Sequence, residues 1–382
     1  MAELHARTHI LGRSEFDQLA SGLAAPRVVE ALCRSRVSRS LLLLRRVAAG
    51  AGRPDALHLL SQAHDRDRES VNDLMVQPSV AGWLAACVRG PSLAGQHRLA
   101  PLALAAAVRA GLAQARVEVS PVHSAVMVPT FGLLAADEPR TIAPQDLAGP
   151  SWYPIRVVRA GSGSRRIAVP VDDLDPFRGY PGAALSPRLS DDEYERLQSH
   201  FVQAWSMLCR HSPGRADELA CGLLTLVPLT TEGMLQSATY ADAFGAVMTT
   251  LPRSGLELVE VLVHEVAHSK LAAAHALTPL VVAGYDGAYT APWIAGPRPL
   301  DRLLQGIFAF ASVSLAWRDL RADAAVRRHA TEQMTMRAEQ VSQALRQVID
   351  DPSGLTVHGW RLVQRLESTM AGVLGSRQSN AA

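Results

Sequence analysis

The sequence predicts an α+β protein, mostly helical, with a small mixed sheet packed beside one buried helix. Three observations lead there. Residues 14–115 carry helical patterning rich in Ala, Leu and Arg. From residue 116 the period changes to the alternation of strands. Near residue 256 begins an apolar, helix-length run that nevertheless holds two histidines and a glutamate.

In chain order, residues 38–49 (SRSLLLLRRVAA) and 80–88 read as helices, and the four-leucine run reads as core. Residues 99–115 are the most apolar stretch, but they carry Arg109 and are too short to span a membrane. Residues 116–120 (RVEVS) alternate, residues 125–129 are β-rich, and residues 139–154 read as a Pro-containing loop. Residues 154–159 and 165–170 flank Gly161-Ser162-Gly163-Ser164 and read as a β-hairpin. Asp172-Asp173-Leu174-Asp175 reads as a solvated turn, with metal binding as its alternative. Ser190-Asp191-Asp192-Glu193 opens a helix through about Cys209. A second helix over 216–224 leads into Val227-Pro228-Leu229. Residues 246–250 read as an edge strand beside the buried helix, where an extended peptide could pair by its backbone. Thr278-Pro279 ends that helix, and residues 284–299 read as a Gly/Pro-rich loop with Tyr289, Trp293 and Arg298. Helices follow at about 301–320, 323–349 and 356–374. The expected organisation is a helical N-terminal region (1–115), a β-rich segment (116–186), a catalytic region (187–374) and a disordered polar tail (375–382).

Composition narrows the functional classes. The 382 residues are 48% hydrophobic and 19% charged, which is globular. A net charge of +2 with scattered arginines leaves no nucleic-acid footprint. His5, Arg7, Arg13, Glu15 and Asp17 interrupt any apolar signal segment. Cys33, Cys87, Cys209 and Cys221 show no C-x-x-C spacing and read as buried free thiols. A cytoplasmic protein without membrane or nucleic-acid partners is expected.

The chemistry lies in His264-Glu265-Val266-Ala267-His268, an H-E-x-x-H motif of the zincin-like kind. Imidazoles four residues apart share one helix face and can grip one metal ion. Glu265 can address a metal-bound water or co-ligand. The pair His5/His9 shows that H-x-x-x-H also arises by accident in a chain with thirteen His. The flanking Val259, Val261, Leu262, Val263, Val266 and Ala267 argue otherwise here, since polar groups in so apolar a helix are costly unless paired. The bland alternative is a pair of satisfied core histidines. Lys270, the lone lysine of the chain, is a further candidate. A third ligand is missing at standard spacings. Leu271 and Ala274 stand where a metzincin needs Gly and His, and His275 is one residue out of register, so it is expected to face away. Asp286, Asp301, Gln305 and Glu265 remain open as third ligands. Asp286 would complete the two-His-one-carboxylate set of non-haem iron oxygenases.

Residues 262–271 (LVHEVAHSKL), 237–247 (SATYADAFGAV) and 291–313 (APW, PRPL, LLQGIFAFASV) together resemble the HEXXH-motif domain of bacterial ribosomal-peptide modification clusters. That family is also described as α-ketoglutarate-dependent HExxH-type peptide β-hydroxylases. The resemblance is strong over 188–320, looser back to Val171 (through VDDLDPFRGY), and weak in the N-terminal helices. It implies Fe(II) held by His264 and His268 plus a further ligand. It implies 2-oxoglutarate as co-substrate and β-hydroxylation of a ribosomal precursor peptide (RiPP maturation), with succinate released. Arg298, between two prolines, is the candidate anchor for the far carboxylate of 2-oxoglutarate. The chain departs from the family at Ile294, Ala295 and Gly296, where members carry charged residues. The alternatives are a zinc metallopeptidase with Glu265 as general base, and an inactive peptide-binding module.

Overall fold

A computed structural model describes residues 9–90, 97–230 and 236–375. The fold is α+β, with helices dominant and the strands in small sheets. Of the expected tail, Gly375 ends the last helix, and residues 376–382, like His5, lie outside the described residues; the ring of His9 bonds Ser38 Oγ at 2.8 Å.

Helices α1 (Arg13–Ala20), α2 (Pro26–Gly50), α3 (Pro54–Arg66), α4 (Arg68–Met75), α5 (Pro78–Arg89) and α6 (Leu99–Arg109) precede the strands. Three of them start on proline, whose missing N–H is not needed in a first turn. Leu41 and Leu44 of the four-leucine run enter the core, whereas Leu42 is exposed. Helix α6 is apolar because it is surrounded by protein. No described helix is long and apolar enough to cross a membrane. The four cysteines are free, and half-buried rather than fully buried as expected.

Strands β1 (Val117–Val119), β2 (Ala125–Val128), β3 (Gly132–Ala135), β4 (Arg140–Ile142) and β5 (Trp152–Pro154) form two small antiparallel sheets. Residues 139–154, expected as loop, thus supply two strands. The hairpin β6 (Arg156–Ala160) and β7 (Ile167–Val171) forms as expected, with Val158 facing Val169 across the pair. With β8 (Thr225–Pro228), β9 (Ser237–Ala238) and β10 (Ala246–Thr249) it makes a five-stranded mixed sheet, ordered β6-β7-β8-β10-β9. Strand β10 is not the edge that the sequence suggested. It pairs in parallel with β8 and antiparallel with β9, so β9 forms the edge.

Helix α7 (Asp191–His211) opens on a reciprocal cap. Ser190 Oγ accepts the Glu193 N–H at 3.3 Å, and Glu193 accepts the Ser190 N–H at 2.8 Å. Helix α8 (Pro213–Gly222) ends before the expected 224 because the Leu224 and Thr225 N–H groups bond the Gly245 carbonyl and start β8. The motif helix α9 (Gly255–Leu277) is capped by Ser254, which accepts the Glu257 N–H at 3.2 Å. The 284–299 segment is not a loop. It folds as a hairpin, β11 (Ala288–Ala291) and β12 (Ile294–Pro299), seated on α10 (Leu300–Leu320). Helices α11 (Arg327–Asp350) and α12 (Val357–Gly375) complete the body.

Two apolar clusters fill the interior. The larger surrounds α9, and the smaller lies among α3–α6 and β1–β4. Helix α2 serves both, with Val28, Val29 and Leu32 in the first and Leu41 and Leu44 in the second.

The acidic run 172–175 joins these parts and corrects an expectation. It is not a solvated turn, since Asp172, Asp173 and Asp175 are all buried. Asp175 pairs with buried Arg98, whose guanidinium lies 5.1 Å from the Phe177 ring. Asp173 pairs with Arg156 at 2.7 Å and Arg188 at 3.5 Å. Asp172 accepts the Asp175 N–H at 2.9 Å. Burial, reinforced by the charge of Asp175, pushes its carboxyl up from 3.8 to about 7. A raised folded value favours the protonated acid. Its contribution to stability is therefore full below about pH 4 and is lost as pH rises through about 7. Asp172→Asn is expected to gain stability relative to the parent across that window, by up to about 1.4 kcal/mol per pH unit. Parallel urea titrations from pH 4 to 8 would check this; a constant difference counts against it.

Candidate metal centre

Helix α9 is fixed by its apolar faces. Leu258, Val259, Leu262, Val263 and Val266 are essentially fully buried, and each contributes about 1.5–3 kcal/mol. The helix therefore carries its polar residues inside with it. At 3.6 residues per turn His264 and His268 share one face, and their Nε2 atoms lie 3.0 Å apart. His268 Nδ1 lies 3.2 Å from Gln305 Oε1 on α10. A carboxamide oxygen only accepts, so Nδ1 carries the proton and the Nε2 lone pair faces His264. The His264 ring meets the Phe310 ring with centroids 4.7 Å apart. Phe310 in turn lies 4.9 Å from Trp293 and 4.7 Å from the Arg337 guanidinium. Burial, then the neighbouring charges of His268 and Arg337, hold the His264 imidazole well below its ordinary range. Burial also lowers His268, against the hydrogen bond to Gln305. Neutral imidazole is the form that binds a metal.

Glu265 is almost wholly buried, and Oε1 accepts the Ser237 hydroxyl at 2.6 Å. Oε2 has no hydrogen-bond partner among the described residues. Burial pushes the carboxyl up from 4.5 to about 7, while hydrogen bonds from Ser237 and Thr239 pull the other way. These side chains line a cavity of about 520 Å³. Its walls come from β9, α9, α10 and the β11–β12 hairpin.

The donor set fits a metal in part. Two neutral nitrogens 3.0 Å apart can both reach one cation at about 2.0–2.2 Å. Among the described residues no three His, Cys, Asp or Glu side chains converge. Asp286 is exposed and does not line the cavity. Asp301 lines the cavity but is half exposed and lies 3.8 Å from Arg302. Gln305 is engaged by His268, and Glu265 by Ser237. Positions beyond the two imidazoles would fall to bound small molecules.

Arg298 lines the same cavity. It forms no ion pair or side-chain hydrogen bond among the described residues, so its guanidinium is available to a ligand. His275 corrects the sequence expectation. It was expected to face away, yet it lines the cavity. The reason is that α9 does not break at Leu271. After eleven residues of unbroken helix a side chain returns to within about 20° of the His264 direction. Helical spacing of 4 and 11 was the signal that could have found it.

Lys270 lies on the opposite face. It is fully buried against Glu218, which also binds Arg215 and accepts the Ala24 N–H at 2.7 Å. Its ammonium lies 5.4 Å from the Phe308 ring. The lone lysine therefore holds α9 to α8 and to the start of α2, away from the cavity. Trp293 covers the cavity by resting on Gly306, where a Cβ would come within 2.5 Å of the indole. No family model matches the chain, and no curated protein matches it.

Two substitutions test this arrangement. Lys270→Ala leaves Glu218 buried with one cation fewer, and a loss of about 3–5 kcal/mol is expected in chemical denaturation. A loss below about 1 kcal/mol would refute the role. Gly306→Ala is expected to lift the indole and red-shift tryptophan emission, a shift that disappears when Trp293 is also changed to Phe.

Proposed function

We propose that the protein is an Fe(II)/2-oxoglutarate-dependent hydroxylase of side chains in a ribosomally made precursor peptide. The observation that carries the reading is the convergence of the two Nε2 atoms, 3.0 Å apart, in the wall of a cavity that also presents an unpaired guanidinium. Two imidazoles leave positions for the further ligand of a two-His-one-carboxylate set and for a chelating co-substrate; no carboxylate among the described residues completes that set. His264 and His268 would hold the ion. Gln305 and Phe310 would hold the rings. Arg298 would bind the far carboxylate of 2-oxoglutarate by its paired N–H groups. With oxygen, iron and 2-oxoglutarate held there would supply the oxidising power to replace a β-hydrogen by hydroxyl, with succinate and carbon dioxide as the co-products.

An extended peptide could lie along β9. The Thr250 N–H bonds the Gln236 carbonyl at 2.9 Å, so in the alternating antiparallel ladder the main-chain groups of Ser237 and Thr239 point off the free edge of β9. Both residues line the cavity. The opposite wall carries Trp293 and exposed Ile294. An extended chain could pair with the edge and lay alternate side chains into the cavity.

One observation favours a second reading. A buried carboxyl near neutrality beside two imidazoles would also suit Glu265 as general base of a zinc peptidase. Metal content and products separate the two. With Fe(II), oxygen and 2-oxoglutarate, the protein is expected to form succinate, and a co-expressed precursor peptide to gain the mass of one oxygen. His264→Ala and His268→Ala are each expected to lose bound metal and to lower succinate formation at least about 100-fold. Zinc content with peptide cleavage would favour the peptidase, and full turnover by either variant would overturn both readings.

A further inference from the structure

We infer that His275 and Arg298 together form a carboxylate-binding subsite in the wall of the metal cavity. This deepens the reading above by adding His275 to Arg298, and it rests on that reading only for the ligand's source. His275 Nδ1 lies 3.2 Å from the Leu280 N–H, which can only donate. Nδ1 is therefore the acceptor, and in the neutral ring the proton sits on Nε2. No described residue accepts that Nε2–H, and the residue lines the cavity. The chain turn after α9 thus fixes His275 with Nε2 as its donor.

Arg298 supplies the charge. Its neighbours on β12 are prolines, and it pairs across the hairpin with Tyr289. Neither acid at the cavity pairs with Arg298 or His275: Asp301 lies 3.8 Å from Arg302, and Glu265 accepts the Ser237 hydroxyl through Oε1. The cavity therefore offers a guanidinium and an imidazole N–H that no acid among the described residues takes up. A carboxylate accepts from both at once, whereas a single carbonyl oxygen leaves part of the guanidinium unused. His275 stands seven residues beyond His268, about 10.5 Å along the helix axis. A glutamate or aspartate side chain of a bound peptide presents the same chemistry.

The test uses the full chain loaded with Co(II), which reports metal binding by its absorption. Calorimetry then measures binding of three probes: 2-oxoglutarate, succinate and acetyl-Ala-Glu-Ala-amide. Each of His275→Phe and Arg298→Met is expected to weaken the responding probe at least about tenfold. His275→Gln, which keeps a donor at the end of the side chain, is expected to stay within about threefold of the parent. Co(II) binding and melting temperature should hold in all variants. Response to 2-oxoglutarate and succinate supports a co-substrate source. Response to the acidic peptide alone supports a substrate source. Failure of all three probes, or unchanged affinity in both variants, overturns the subsite. Loss of Co(II) binding with succinate binding intact would sink the metal reading and leave the subsite standing.

Discussion

The structure depends on one constraint: a buried helix that carries polar side chains must find a partner for each. Helix α9 buries Glu265, Ser269 and Lys270 and half-buries its three histidines. On one face the requirement is met internally. Lys270 meets Glu218, which Arg215 and the Ala24 N–H also engage, and the cluster locks α9 to α8 and to the entry of α2. On the other face it is met only in part. His268 has Gln305 and, 3.0 Å from its Nε2, the His264 ring, and His275 has Leu280, but no described residue meets Nε2 of His275 or Oε2 of Glu265. Desolvated groups left in that state are costly in a merely structural helix and useful in one that binds a ligand.

The same constraint explains the surroundings. The partner for His268 comes from α10, and the ring that supports His264 comes from the same helix one turn later. Both depend on the hairpin that precedes α10, because Trp293 rests on Gly306 between Gln305 and Phe310. Further out, Arg337 of α11 touches Phe310 and pairs with Glu260 at 2.7 Å, one turn before His264. The centre is therefore held by side chains from successive helices, and its lid is packed against the same residues. On the far side, buried pairs such as Arg98–Asp175 tie the N-terminal helices to the sheet that carries β9. The edge that borders the cavity is thereby connected to the smaller core.

Much of this was legible residue by residue. The cap at Ser190, the β6–β7 hairpin and the three C-terminal helices follow from local chemistry, and they form where that chemistry puts them. The His264/His268 pair follows from helical spacing alone. Pairing across distance was not legible. Residues 246–250 have the composition of a strand, but nothing in them says that β9 will cover their edge. The acids at 172–175 look solvated because their partners, Arg98, Arg156 and Arg188, are remote in sequence. His275 differs for another reason. It is out of register for a metzincin's third His at 274, but α9 is continuous to Leu277, and on a continuous helix position 275 returns to the His264 face.

The sequence by itself determined a buried helix with two imidazoles on one face, since periodicity and burial cost are local properties of the chain. Tertiary structure alone decided which polar groups of that helix would be spent on structure and which left open. That choice depends on what α8, α10 and the β11–β12 hairpin bring within hydrogen-bond distance, and such partners are set by packing between segments that no local pattern relates. Lys270 and His275 are five residues apart on one helix. Packing closes the first inside a salt bridge and leaves the second facing a cavity.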